Sequence, residues 1–128
     1  MSFYIVPEIF DEQKKVILYG SGLEAMGMIE QCRSLGINNI IAVIDDSENT
    51  SNLYHTPLHH TSWLEMQEGS SYDYIVITSN ITRSQDGIVY ELIHKYKVPE
   101  NKILFGNYQI ILESGGIFEK NFGNNTSL

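Results

Sequence analysis

The chain is short of the residues that cross-link a fold or draw it to polyanions. Of 128 residues only one is cysteine, Cys32. An intramolecular disulfide is therefore excluded, and a cysteine-based zinc site is not expected. Lysine and arginine together number 8 against 16 aspartates and glutamates, a formal net charge of −8. The arginines, Arg33 and Arg83, stand far apart in sequence and no basic cluster exists. Nucleic acid and anionic membrane both demand a basic footprint, so neither is an expected partner. An anionic small molecule stays open, because helix N-terminal N–H groups hold phosphate without basic side chains. No apolar run approaches the ~20 residues that span a bilayer. Residues 1–7 lack the basic region and long apolar core of a signal peptide, and a cytoplasmic chain is expected.

Catalytic signatures are also missing. There is no Gly-x-Ser-x-Gly nucleophile elbow and no His-Glu-x-x-His metal helix. His55, His59 and His60 cluster without the spacing of a zinc site, and neighbouring His59 and His60 would point in different directions. No metal is expected. One of these histidines could serve as a general base, since imidazole titrates near neutrality. Catalytic residues stay unknown.

What is present is an alternation of strands and helices. Val16–Tyr19 is a short apolar strand running directly into Gly20, Ser21, Gly22, Leu23 and, three residues after Gly22, Ala25. In this Gly-x-Gly-x-x-Ala layout Gly20 permits a tight turn, Gly22 lets a phosphate approach bare backbone, and Ala25 lets the helix sit close. A helix is expected over 23–35, with Leu23, Met26, Ile29, Cys32 and Leu35 on one face and Gly36 as its stop. A buried strand at 39–44 ends in Asp45 and Asp46. A polar loop at 47–53 and a brief extended piece at 54–58 follow. Ser62 and Glu65 have the form of a capping box. A third strong strand spans 72–78, a helix 84–96, and a last strand 103–105. Residues 3–6 read as an added edge strand, and 108–113 as a short helix.

Strands alternating with helices imply an α/β fold with a mostly parallel sheet, a Rossmann-like three-layer sandwich. One domain is expected over residues 1–107, with its core at 14–107, followed by a partly disordered C-terminal extension at 108–128. Asp45 lies 23 residues past Gly22, at the end of the second strand. A carboxylate there accepts hydrogen bonds from ribose hydroxyls or an amide-bearing base edge, and repels a 2′-phosphate. The alternative is that Asp45 and Asp46 only end a strand and begin a turn. Thr78, Ser79, Asn80 and Arg83 leave the third strand where open α/β sheets bind ligands. Arg83 reads equally as an anion contact or as a solvated loop arginine.

These segments resemble a Rossmann-like domain of bacterial surface-glycan pathways. They are similar to the N-terminal domains of nucleotide-sugar N-acetyltransferases, to the nucleotide-binding domain of polysaccharide-synthesis dehydratases and epimerases, and to Rossmann-like modules attached to methyltransferases. The resemblance covers residues 14–107. It implies that Asp45 and Asp46 contact a nucleotide base while Gly20, Ser21 and Gly22 hold a diphosphate. The chain departs from these families too. It has no hexapeptide repeats, and Tyr90 is followed four residues on by His94 in place of a Tyr-x-x-x-Lys lysine. The expected ligand is NAD or a nucleotide-sugar. The expected role is a binding domain of a larger transferase or oxidoreductase, alone, as a homo-oligomer or with an attached catalytic domain. A small NAD-dependent oxidoreductase and a non-binding regulatory module are the alternatives.

Overall fold

The computed structural model describes residues 2–4, 7–46, 51–78, 85–111 and 117–121. In chain order the strands are β1 (Ser2–Tyr4), β2 (Val16–Tyr19), β3 (Ile40–Asp45), β4 (Ser51–Leu53), β5 (Thr56–His60), β6 (Tyr74–Ile77), β7 (Ile103–Phe105), β8 (Asn107–Ile111) and β9 (Ile117–Asn121). Helix α1 (Leu23–Ser34) follows β2 and α2 (Gln85–His94) follows β6. Three 3-10 helices lie at Pro7–Phe10, Thr61–Met66 and Glu100–Lys102.

The main sheet has six strands in the order β4-β5-β3-β2-β6-β7. All neighbours are parallel except the edge hairpin β4–β5. The architecture is thus α/β with a mixed, mostly parallel sheet. Parallel strands covered on both sides read as unbroken apolar runs, and every residue of β2 is buried. Alternation divides them. Val16, Leu18 and Val76 join Ala25, Met28, Ile29 and Cys32 of α1 in one cluster. Ile17, Tyr19, Ile75 and Ile77 join Ile88 and Leu92 of α2 in another. In β3 a register shift sets Ile40 and then Ala42 against Val16 and Ile17. This bulge at Ile41 adds one residue, so that Ile40 and Val43 join one core cluster and Ile41 and Ile44 the other.

Several local expectations give way to packing. The face drawn through Leu23 and Leu35 is wrong: these residues are 70% and 59% exposed. Five positions each three residues apart rotate by about 60° per step relative to a 3.6-residue turn, so they cannot share a side. The buried stripe is Ala25, Met28, Ile29 and Cys32, at helical spacing. The helix does stop at Gly36, with Gly36 N–H donating to Arg33 O at 2.9 Å and Ile37 N–H to Cys32 O at 2.9 Å. This is a Schellman closure.

The extended piece at 54–58 is a hairpin, with Tyr54 and His55 at φ 49° and 67° forming its two-residue turn. Paired positive φ values match strand twist, here without the usual Asn-Gly signal. Ser62 is not the cap of the following 3-10 helix. His60 is, its ring accepting from Ser62 N–H. Where a short helix is expected at 108–113, residues 108–111 belong to β8, which pairs antiparallel with β1 and β9 in a separate three-stranded sheet, and residues 112–113 lie outside the described residues. The expected edge strand at 3–6 is β1 of that sheet, and residues 5–6 lie outside the described residues. The segment before Lys14 contributes to the core: Ile9 is fully buried, which stabilises by about 1.5–3 kcal/mol. Asn39 anchors it, Nδ2 donating to Ile9 O at 2.7 Å and Asp11 O at 3.1 Å.

Candidate functional site

From β2 the chain proceeds one way to β3 and β5, then returns to lay β6 and β7 on the other side. The C-terminal end of β2 is therefore the switch point, the place where such sheets hold ligands. Gly20 leaves this end at φ +103°, a conformation an L side chain rarely adopts. Its N–H donates to Ile44 O at 2.8 Å, turning the chain across the end of β3. Ser21 then meets Asp45. Its backbone N–H and its hydroxyl both donate to Asp45 Oδ2, at 3.0 Å and 2.8 Å. Gly22 is the N-cap of α1 and offers no side-chain acceptor to the first-turn amides.

Asp46 is held differently. The Tyr19 hydroxyl donates to its Oδ2 at 3.0 Å and the Thr61 hydroxyl to its Oδ1 at 2.8 Å. Tyr19 is 3% exposed and Thr61 fully buried, whereas Asp46 is exposed. Two buried hydroxyls thus fix an exposed carboxylate. Thr78 forms the floor across the switch point, its N–H and hydroxyl donating to Tyr19 O at 3.0 Å and 2.8 Å.

A third carboxylate lies close by. Glu24, in the first turn of α1, is buried. A negative charge there is favoured by the helix dipole. Gly106, just past β7, packs against it so closely that a Cβ would collide with Glu24 Oε1 and come within 2.9 Å of Met28 Cε. At the end of β3, Asp45 and Asp46 favour ligand groups that donate hydrogen bonds and oppose a phosphate on the ribose hydroxyl that would meet them.

The histidines separate. His55 sits in the hairpin turn, His59 stacks on Trp63 with ring centroids 4.6 Å apart and planes 6° from parallel, and His60 pairs in register with Asp45. Among the described residues, no group of three or more His, Cys, Asp or Glu is placed to hold a metal. None of the described helices is long and apolar enough to cross a membrane. Cys32 lies in the core beneath α1, and burial pushes its thiol up to about 11. A thiol so buried is poor in thiolate and has no nucleophilic role near neutrality.

Of the residues singled out in the sequence, Gly20, Ser21, Gly22, Asp45 and Asp46 come together at the strand ends. Thr78 is beneath them at 1% exposure, and Leu23 opens α1 facing solvent. Ser79, Asn80 and Arg83 lie outside the described residues. Sequence reasoning missed Tyr19 and Thr61, whose roles depend on hydroxyls at the tips of residues that read as strand and loop. It also missed Glu24 and Gly106, which are 82 positions apart. Comparison with protein-family models, with curated proteins and with solved structures finds no match.

Proposed function

We propose that the chain is a Rossmann-like three-layer sandwich that binds a nucleotide, dinucleotide or nucleotide-sugar over the C-terminal ends of β2 and β3. In this reading it works as a non-catalytic module of surface-glycan or sugar-modifying metabolism. Support for the layers comes from α1 and α2 belonging to separate core clusters. The ligand reading is carried by one observation, the contact of Ser21 with Asp45. It brings the two halves of the dinucleotide fingerprint together at the switch point. Gly20 and Gly22 would leave room for a diphosphate, and the carboxylates would take the hydrogens of ribose hydroxyls or of a base edge. The acidic surroundings favour NAD over its 2′-phosphorylated form.

The same contact also favours a second reading, in which Asp45 only closes the turn and the fold serves as a regulatory or interaction module. A thermal-shift screen with NAD, NADH, UDP-sugars, dTDP-sugars, coenzyme A and S-adenosylmethionine separates the two. A ligand at 100 times its dissociation constant stabilises by ~2.7 kcal/mol, well within detection. Stabilisation by one nucleotide class, weakened in Asp45→Ala, is expected. Silence throughout would leave the second reading standing.

A further inference from the structure

The polar groups at the strand ends are unevenly divided between donors and acceptors. A carboxylate only accepts, and a hydroxyl has a single hydrogen to give. Tyr19 and Thr61 give theirs to Asp46, Ser21 to Asp45, and Thr78 to Tyr19 O. These described side chains meet a ligand's hydroxyls and N–H groups and give no hydrogen to its carbonyl or ring-nitrogen acceptors.

His60 alters this balance. It is half-buried and in register with Asp45, the last paired residue of β3. In-register residues of adjacent strands sit about 4.8 Å apart and share a face of the sheet. Its Nδ1 accepts from Ser62 N–H at 3.1 Å and lies 2.9 Å from Ser62 Oγ. A ring nitrogen that accepts a backbone N–H carries no proton, so neutral His60 holds its hydrogen on Nε2. The cap also fixes the ring, aiming Nε2–H away from Ser62. Among the described residues, no acceptor takes that hydrogen.

We infer that His60 Nε2–H is a specificity-determining donor of the site, contacting an acceptor on the nucleoside part of the ligand beside the carboxylates that take its donors. A base edge with a donor and an acceptor side by side, as in uracil or adenine, satisfies both. The inference rests on the nucleotide reading above.

Two variants separate this role from the cap. In His60→Asn the side-chain oxygen keeps an acceptor for Ser62 N–H, and asparagine caps well, but the Nε2 donor is gone. In His60→Gln an amide N–H stands near the Nε2 position while the cap is lost. Calorimetric titration with UDP and with NAD, beside thermal melts, reads both. His60→Asn should melt like wild type yet bind the nucleotide about 3- to 10-fold more weakly, the worth of one hydrogen bond. His60→Gln should melt earlier and keep most of the affinity. Affinity within twofold of wild type in His60→Asn, or affinity tracking stability in both variants, overturns the assignment. If Asp46→Ala abolishes binding while His60→Asn does not weaken it, the nucleotide reading stands and His60 falls. Failure of the wild type to bind these two or any other nucleotide of the thermal-shift panel overturns both.

Discussion

Substituting Gly106 by alanine tests a close approach, that of the end of β7 to the first turn of α1. An added Cβ would collide with Glu24 Oε1, lie 3.3 Å from Glu24 Cδ and reach within 2.9 Å of Met28 Cε. Glu24 is 5% exposed and Met28 fully buried, so neither has open solvent to move into. Overpacking of this kind costs about 1–3 kcal/mol. The reduced entropy of the unfolded chain returns roughly 0.4–1 kcal/mol. The difference is a net loss of roughly 0–2.6 kcal/mol, centred on about 1.3 kcal/mol. For a domain of this size the central value lowers Tm by roughly 5 °C. Urea denaturation of wild type, Gly106→Ala, Glu24→Ala and the double variant gives the coupling directly. Gly106→Ala should cost at least ~0.5 kcal/mol less in the Glu24→Ala background, since the obstructing carboxylate is gone. An equal cost in both backgrounds would refute the packing of β7 against α1.

Gly20→Ala forces an L side chain to φ +103° and should cost roughly 1–3 kcal/mol in urea denaturation; a loss under 0.5 kcal/mol would contradict the turn. Thr78→Val removes one donor from Tyr19 O and leaves the N–H at 3.0 Å in place, so no carbonyl is orphaned. A loss of only about 0.5–1.5 kcal/mol is expected, and one above 3 kcal/mol would mean that the hydroxyl holds more than this bond. Cys32 ionises at about 11 in the folded chain against 9.0 for an unperturbed thiol. Its raised value means that stability is intact below pH 9 and drains away between pH 9 and 11, as the unfolded thiol ionises first. Cys32→Ala should flatten that alkaline fall in Tm; an unchanged slope would remove Cys32 as its source.

The main sheet is legible in the sequence because buried parallel strands leave continuous apolar runs, as at Val16–Tyr19 and Tyr74–Ile77. The meeting of Ser21 with Asp45 is legible for a related reason. Adjacent parallel strands joined by one helix must bring their C-terminal ends together. Other features are tertiary facts with no local trace. Thr61 reaches Asp46 only because β5 lies beside β3, a pairing that follows a hairpin with Tyr and His at its turn. Glu24 reads as a solvated helix residue until the chain beyond β7 covers it. The mistaken face of α1 shows how an exact three-residue spacing mimics a helical stripe while winding off it.

The central claim is that a nucleotide lies over the ends of β2 and β3, and amide NMR on labelled protein tests it most directly. Titration with NAD, UDP or a UDP-sugar should shift the amides of Gly20, Ser21, Gly22, Asp45 and Asp46 together, saturably, and leave those of the hairpin turn at Tyr54 and His55 unmoved. Saturable shifts centred elsewhere, or none with any nucleotide at millimolar concentration, would contradict it.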